Sequence, residues 1–63
     1  MAEKLVQYYE YISRELGLKG AMKLAAITGI PSIRAQAEPD SEQNLTLFRH
    51  AVEQLTGKPA PIF

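Results

Sequence analysis

The chain has 63 residues, no cysteine and one histidine. Those counts exclude disulfides, cysteine-based zinc sites and multi-histidine metal sites, so we expect neither metal nor cofactor. Seven basic residues balance seven acidic ones, which sets aside nucleic-acid binding by bulk charge but not by a small local patch.

A domain of this size has a thin core. Ordering it costs roughly 1.5 kcal/mol per residue, and apolar burial barely offsets that, so tidy helices or self-association are expected to supply the rest. No apolar run is long enough for a bilayer. The opening MAEKLVQYYE lacks the basic-then-apolar layout of a secretory signal. We therefore expect a cytoplasmic protein with no membrane partner.

The first helix is expected over 2–16. Leu5, Tyr9, Ile12 and Leu16 fall on one face, bordered by Val6 and Tyr8. Gly17 ends it. A second helix is expected over 19–28, where Ala21, Leu24, Ala25 and Thr28 share a face and Met22 and Ile27 border it. Gly29 closes that helix, and Ile30 before Pro31 is biased to extended backbone. A short third helix is expected over 31–37, stopped by Pro39. Asp40, with Gln43 at capping-box spacing, opens the last helix, and Asn44 is a second candidate cap. Leu45, Phe48, Val52 and Leu55 make that helix amphipathic to about Thr56, and Gly57 caps it. The pattern predicts an all-α, compact bundle of three to four short helices over 1–57 and an extended tail over 58–63. Its core is expected to hold Leu5, Tyr9, Ile12, Leu16, Leu24, Ile30, Phe48, Val52 and Leu55.

No catalytic constellation is apparent. His50 stands beside Arg49 and near Glu53, which reads as a surface histidine rather than a general base. Ser13, Ser32 and Ser41 lack a nucleophile elbow, and the glycines lack phosphate-loop spacing. We expect no enzyme activity.

The stretch AMKLAAITGIPSIRAQAE carries more information. Leu24-Ala25, Gly29 four residues on, then Ile30 and Pro31-Ser32 follow the pattern of a helix-turn-helix. In this the chain resembles the lambda-repressor-like (Cro/CI-like) DNA-binding domains. Ala35 and Glu38 stand where that family has apolar residues, and Pro39 follows. ITGIPSIRAQAE also looks like a helix-hairpin-helix, with Pro31 in place of its second glycine. The first resemblance implies a small DNA-binding or transcription-regulating domain. Ser32, Arg34 and Gln36 would then face bases, and Lys19 and Lys23 would touch phosphates. Charge agrees in part: 18–37 holds no acidic residue, while Glu38, Asp40 and Glu42 follow directly.

The alternative is a helical protein-interaction or dimerisation module without nucleic-acid binding. Tyr8, Tyr9 and Tyr11 cannot all face one core. Tyr8 and Tyr11, with Ile62 and Phe63 beyond the proline-stiffened 58–61, are the residues for such an interface. A homodimer is expected under either reading, with Phe63 either folded back on its own bundle or inserted into a partner.

Overall fold

A computed structural model describes residues 3–63. Residue 2, where the sequence pattern starts the first helix, lies outside them. Helix α1 runs Lys4–Thr28, α2 Ser32–Ala35 and α3 Glu42–Thr56. Among the described residues there is no strand. The expected all-α bundle is what forms.

α1 is not one rod. At Gly17 the backbone takes φ 73° and ψ −163°, which breaks the helix into halves 4–16 and 18–28. This combination belongs to a region that glycine alone enters readily. The two expected helices are therefore these halves, with a single residue between them. They approach so closely that a Cβ on Gly20 would lie 2.4 Å from Cβ of Leu16 and 3.1 Å from Cγ2 of Ile12. Gly20 thus has no room for a side chain.

The first half of α1 buries Leu5, Tyr8, Tyr9 and Ile12, and the second buries Leu24. From α3 come Leu45, Phe48, Ala51 and Val52, and from α2 comes Ala35. α1 contacts both other helices, whereas α2 packs on α1 alone. Tyr9 and Phe48 meet edge to face, with ring centroids 5.7 Å apart, a geometry that adds to simple area burial.

Two core expectations need correction. Leu16 is 41% exposed. It lies over Gly20, which has no side chain to enclose it. Leu55 is only half-buried at the margin. Tyr8, expected at the border, is instead fully buried.

The turn after α1 behaves as its sequence suggests. Gly29 has φ 72° and donates its N–H to the Ala25 carbonyl. The Thr28 hydroxyl donates to the Leu24 carbonyl at 2.8 Å and accepts from Ile30 N–H at 3.2 Å. The Tyr9 hydroxyl donates to the Ile30 carbonyl. Burial raises the Tyr9 pKa above its ordinary value, opposed by the bond to Thr28. α2 is shorter than the expected 31–37: it covers Ser32–Ala35, and Gln36 and Ala37 form a turn in which the Ala37 and Glu38 N–H groups share the Arg34 carbonyl before Pro39.

The capping assignments also shift. Ser41, not Asp40, caps α3, its side chain accepting from Asn44 N–H at 3.2 Å. Asp40 caps α1 instead, across the fold. Its carboxylate accepts from the N–H groups of Glu3 at 3.1 Å, Lys4 at 3.2 Å and Leu5 at 3.4 Å. The N-cap residue Glu3 makes no side-chain cap bond, so the orphan donors of the first turn need an outside acceptor. Desolvation pushes the Asp40 pKa up, but the backbone donors of Lys4, Glu3 and Leu5, with the Lys4 charge, outweigh it, and the pKa is lowered.

An added Cβ at Gly17 would meet nothing within 4 Å, so Gly17→Ala is a backbone test alone. It should cost about 1–3 kcal/mol in chemical denaturation. A D-alanine placed there by synthesis should instead match or exceed the wild type, since the mirror of this φ/ψ is ordinary extended backbone. Equal stability of the L- and D-alanine proteins would remove the break as a constraint. Asp40→Ala should cost about 0.5–1 kcal/mol near neutral pH, the low end for a partly exposed cap. A lowered folded-state pKa gives stability that is present above the unfolded value and lost as pH falls through the folded one. The two proteins' melting temperatures should therefore converge as the pH is taken well below the ordinary aspartate range. A gap unchanged from neutral to acid would count against the cap.

Candidate interaction surface

The residues expected to touch DNA all reach solvent: Lys19, Lys23, Ser32, Arg34 and Gln36 are exposed. Lys19 and Lys23 stand one turn apart on the second half of α1, away from the buried Gly20, Leu24 and Thr28. Arg34 Nη2 lies 3.3 Å from Glu38 Oε2, so its charge already has a partner four residues on. That exposed pair is weak, on the order of 0.3–0.5 kcal/mol. α2 is four residues long, and Gln36 stands beyond it. A recognition helix that reads a major groove spreads its contacts over more than one turn.

Beside these cations lies an apolar groove of about 150 Å³. Ala21 and Ala25 of α1 line it with Tyr9, and Pro31 and Ser32 bring in the start of α2. Leu18 and Met22 also line it, yet they are 77% and 64% exposed. Ile33, next to Ser32, is 81% exposed. The sequence treats Met22 as a border residue and gives Leu18 no role. The missed signal is their i, i+4 spacing outside the core stripe. Small-molecule pockets run from about 300 Å³ upward. This groove is too small for that and suits one or two anchoring side chains of a larger partner.

A second, open concavity of about 390 Å³ is lined by His50, Glu53 and Gln54. Glu53 Oε2 already accepts from Ala60 N–H at 3.2 Å, holding the tail. The remaining imidazole has no orienting partner among the described residues. Nor do the described residues contain a group of three His, Cys, Asp or Glu able to hold a metal ion. None of the described helices is long and apolar enough to cross a membrane.

The interface residues expected at the tail are mostly spent inside the chain. Phe63 folds back and meets Tyr8 edge to face, centroids 4.9 Å apart. The Tyr8 hydroxyl donates to the Pro61 carbonyl at 2.7 Å and accepts from Arg49 Nε at 3.1 Å. Tyr8 is therefore not a surface for a partner. Its polar tip is satisfied within the fold, and its ring is fully buried. Tyr11 is half-buried against the core. Ile62 alone of the four remains open, at 80%.

The tail contacts predict an asymmetry. Phe63→Ala uncovers Tyr8 and removes an aromatic pair, so it should cost about 1–3 kcal/mol and lower the melting temperature by several degrees. Ile62→Ser should stay within about 0.5 kcal/mol of the wild type. Thermal melts followed by circular dichroism read both. An unaltered melt for Phe63→Ala would mean that the tail does not seal the core.

Comparison with protein-family models, with curated proteins and with solved structures gives no match.

Proposed function

We propose that the protein is a small helical protein-interaction module, and that its contact face is the groove between the second half of α1 and the start of α2. One observation carries this reading: Leu18 and Met22 stay exposed at the lip of a groove floored by Ala21, Ala25 and Tyr9. Full burial of such a side chain contributes about 1.5–3 kcal/mol. Leaving two of them open forgoes that stabilisation in a domain with little core to spare, and a partner that covered them would recover it.

DNA binding is the second reading. It is favoured by the absence of acidic residues over 18–37 and by the exposure of Lys19, Lys23 and Arg34. The helix-turn-helix resemblance supports it through Gly29, whose positive φ makes the required turn. Against it stand the one-turn α2, the Arg34–Glu38 pair and the apolar lip beside the cations. Homodimerisation through the tail loses its motive, because Phe63 already has a place on its own Tyr8.

One experiment separates the readings. A photo-crosslinker at position 22 should give a discrete adduct with a partner in the cell of origin, and Leu18→Glu should abolish it. The same label at Gln43, exposed on α3, should give none. In parallel, mixed duplexes at about 50 mM salt should not bind, although phosphate contacts are far stronger there than at physiological salt. Binding to duplex that falls with salt and is lost in Lys19→Glu/Lys23→Glu, without an adduct from position 22, would transfer the function to DNA.

A further inference from the structure

We infer that the occupant of this groove is an amphipathic helical segment of another protein with acidic residues flanking its apolar stripe, and not a second copy of this chain. The inference rests on the docking reading above and adds the partner's chemistry. Lys19 follows Leu18 and Lys23 follows Met22, each one residue step around the helix from the apolar lip. Both lysines are exposed, and neither has an ion-pair partner among the described residues. Across 18–37 the sequence supplies no carboxylate to answer them. The groove therefore presents apolar seats with a cationic flank.

The volume and shape fit a helix. Leu18 and Met22 are spaced i, i+4, and a partner's apolar residues at i, i+3, i+4 and i+7 lie against such a row. About 150 Å³ of open space receives an anchoring side chain or two. The small Ala21 and Ala25 let the partner's backbone come close.

Charge decides between occupants. A two-fold pair sets the same surface against itself. That would oppose two faces that each carry Lys19 and Lys23 and, over 18–37, no carboxylate to answer them. A segment with glutamate or aspartate on its flank turns the same lysines into rim ion pairs, which favour encounter and suppress wrong partners. Rim pairs are individually small, so the apolar seats supply affinity and the lysines supply choice.

The test uses the whole protein and two synthetic peptides. Both carry leucines at i, i+3, i+4 and i+7. One has glutamates flanking that stripe, the other lysines. Titrations by fluorescence anisotropy should show the glutamate peptide binding about tenfold tighter at low salt, an advantage that shrinks as salt rises. Met22→Glu should abolish binding of the glutamate peptide. Lys19→Glu/Lys23→Glu should reverse the preference. Met22, Lys19 and Lys23 are all exposed, so these variants should melt like the wild type, and the double variant is read independently of the single one. Sedimentation of the protein alone should give a monomer. Equal binding of both peptides overturns the acidic partner while leaving the docking face intact. A dimer that Met22→Glu dissolves overturns it in favour of a second copy. No binding of either peptide by a monomeric protein overturns both the inference and the docking reading beneath it.

Discussion

The rest of the structure depends on the break at Gly17. A continuous helix over the 25 residues of α1 would be about 37 Å long at 1.5 Å per residue, yet the folded chain extends only 26 Å along its longest axis. One residue at φ 73° and ψ −163° resolves this by redirecting the chain with almost no loop. The first half of α1 then supplies the buried stripe of Leu5, Tyr8, Tyr9 and Ile12, while the second half contributes Leu24 and keeps one face for the groove. Gly20 completes the arrangement by accepting Leu16 where a methyl group would collide. Two glycines three residues apart thus do different work, one through backbone freedom and the other through missing volume.

A core this thin has to be sealed at its edges, and the chain does so with polar ends of buried groups. Tyr8 reaches the tail through Pro61 and α3 through Arg49. Tyr9 reaches the turn through Ile30. Asp40 reaches back to the first turn of α1. Each bond is modest by itself, about 1 kcal/mol net, but each ties an irregular segment to a helix. No buried side-chain polar atom among the described residues lacks a partner. The tail, the turn and the acidic loop are consequently parts of the packed unit.

Helical periodicity made the elements legible in the sequence. Leu5, Tyr9 and Ile12 on one segment and Phe48 and Val52 on another mark buried stripes without reference to the fold. Gly17, Gly29 and Gly57 mark helix ends, and all three have positive φ. What periodicity could not supply were contacts set by distant segments. Tyr8 reads as a border residue until a tail more than fifty positions away covers it. Leu16 continues the stripe but meets a glycine instead of a helix. Asp40 sits at a helix start and looks like that helix's cap, but Ser41 takes the post and frees it for α1. One clue was present: the residues opening α1 include no Ser, Thr, Asp or Asn to serve as its cap. At the candidate surface, the exposure of Lys19 and Lys23 was legible from the helix pattern. The groove beside them was not, because it exists only once Pro31 and Ser32 pack next to Leu18 and Met22.

The same face carries cations and apolar groups, and their relative worth decides which ligand class it favours. Phosphate would engage Lys19 and Lys23 but leave Leu18 and Met22 beside a strongly hydrated backbone. The apolar lip would then contribute almost nothing, and the desolvation of whatever it touched would count against binding. An amphipathic protein segment uses both features at once. Burying Leu18 and Met22 contributes a few kcal/mol in total, more than two exposed lysines contribute through rim ion pairs. The lysines still matter, because apolar seats alone accept any greasy helix, whereas a cationic flank penalises basic ones. On the proposed reading affinity would come from Leu18 and Met22 and selectivity from Lys19 and Lys23, a division that neither DNA nor a second copy of the chain would exploit.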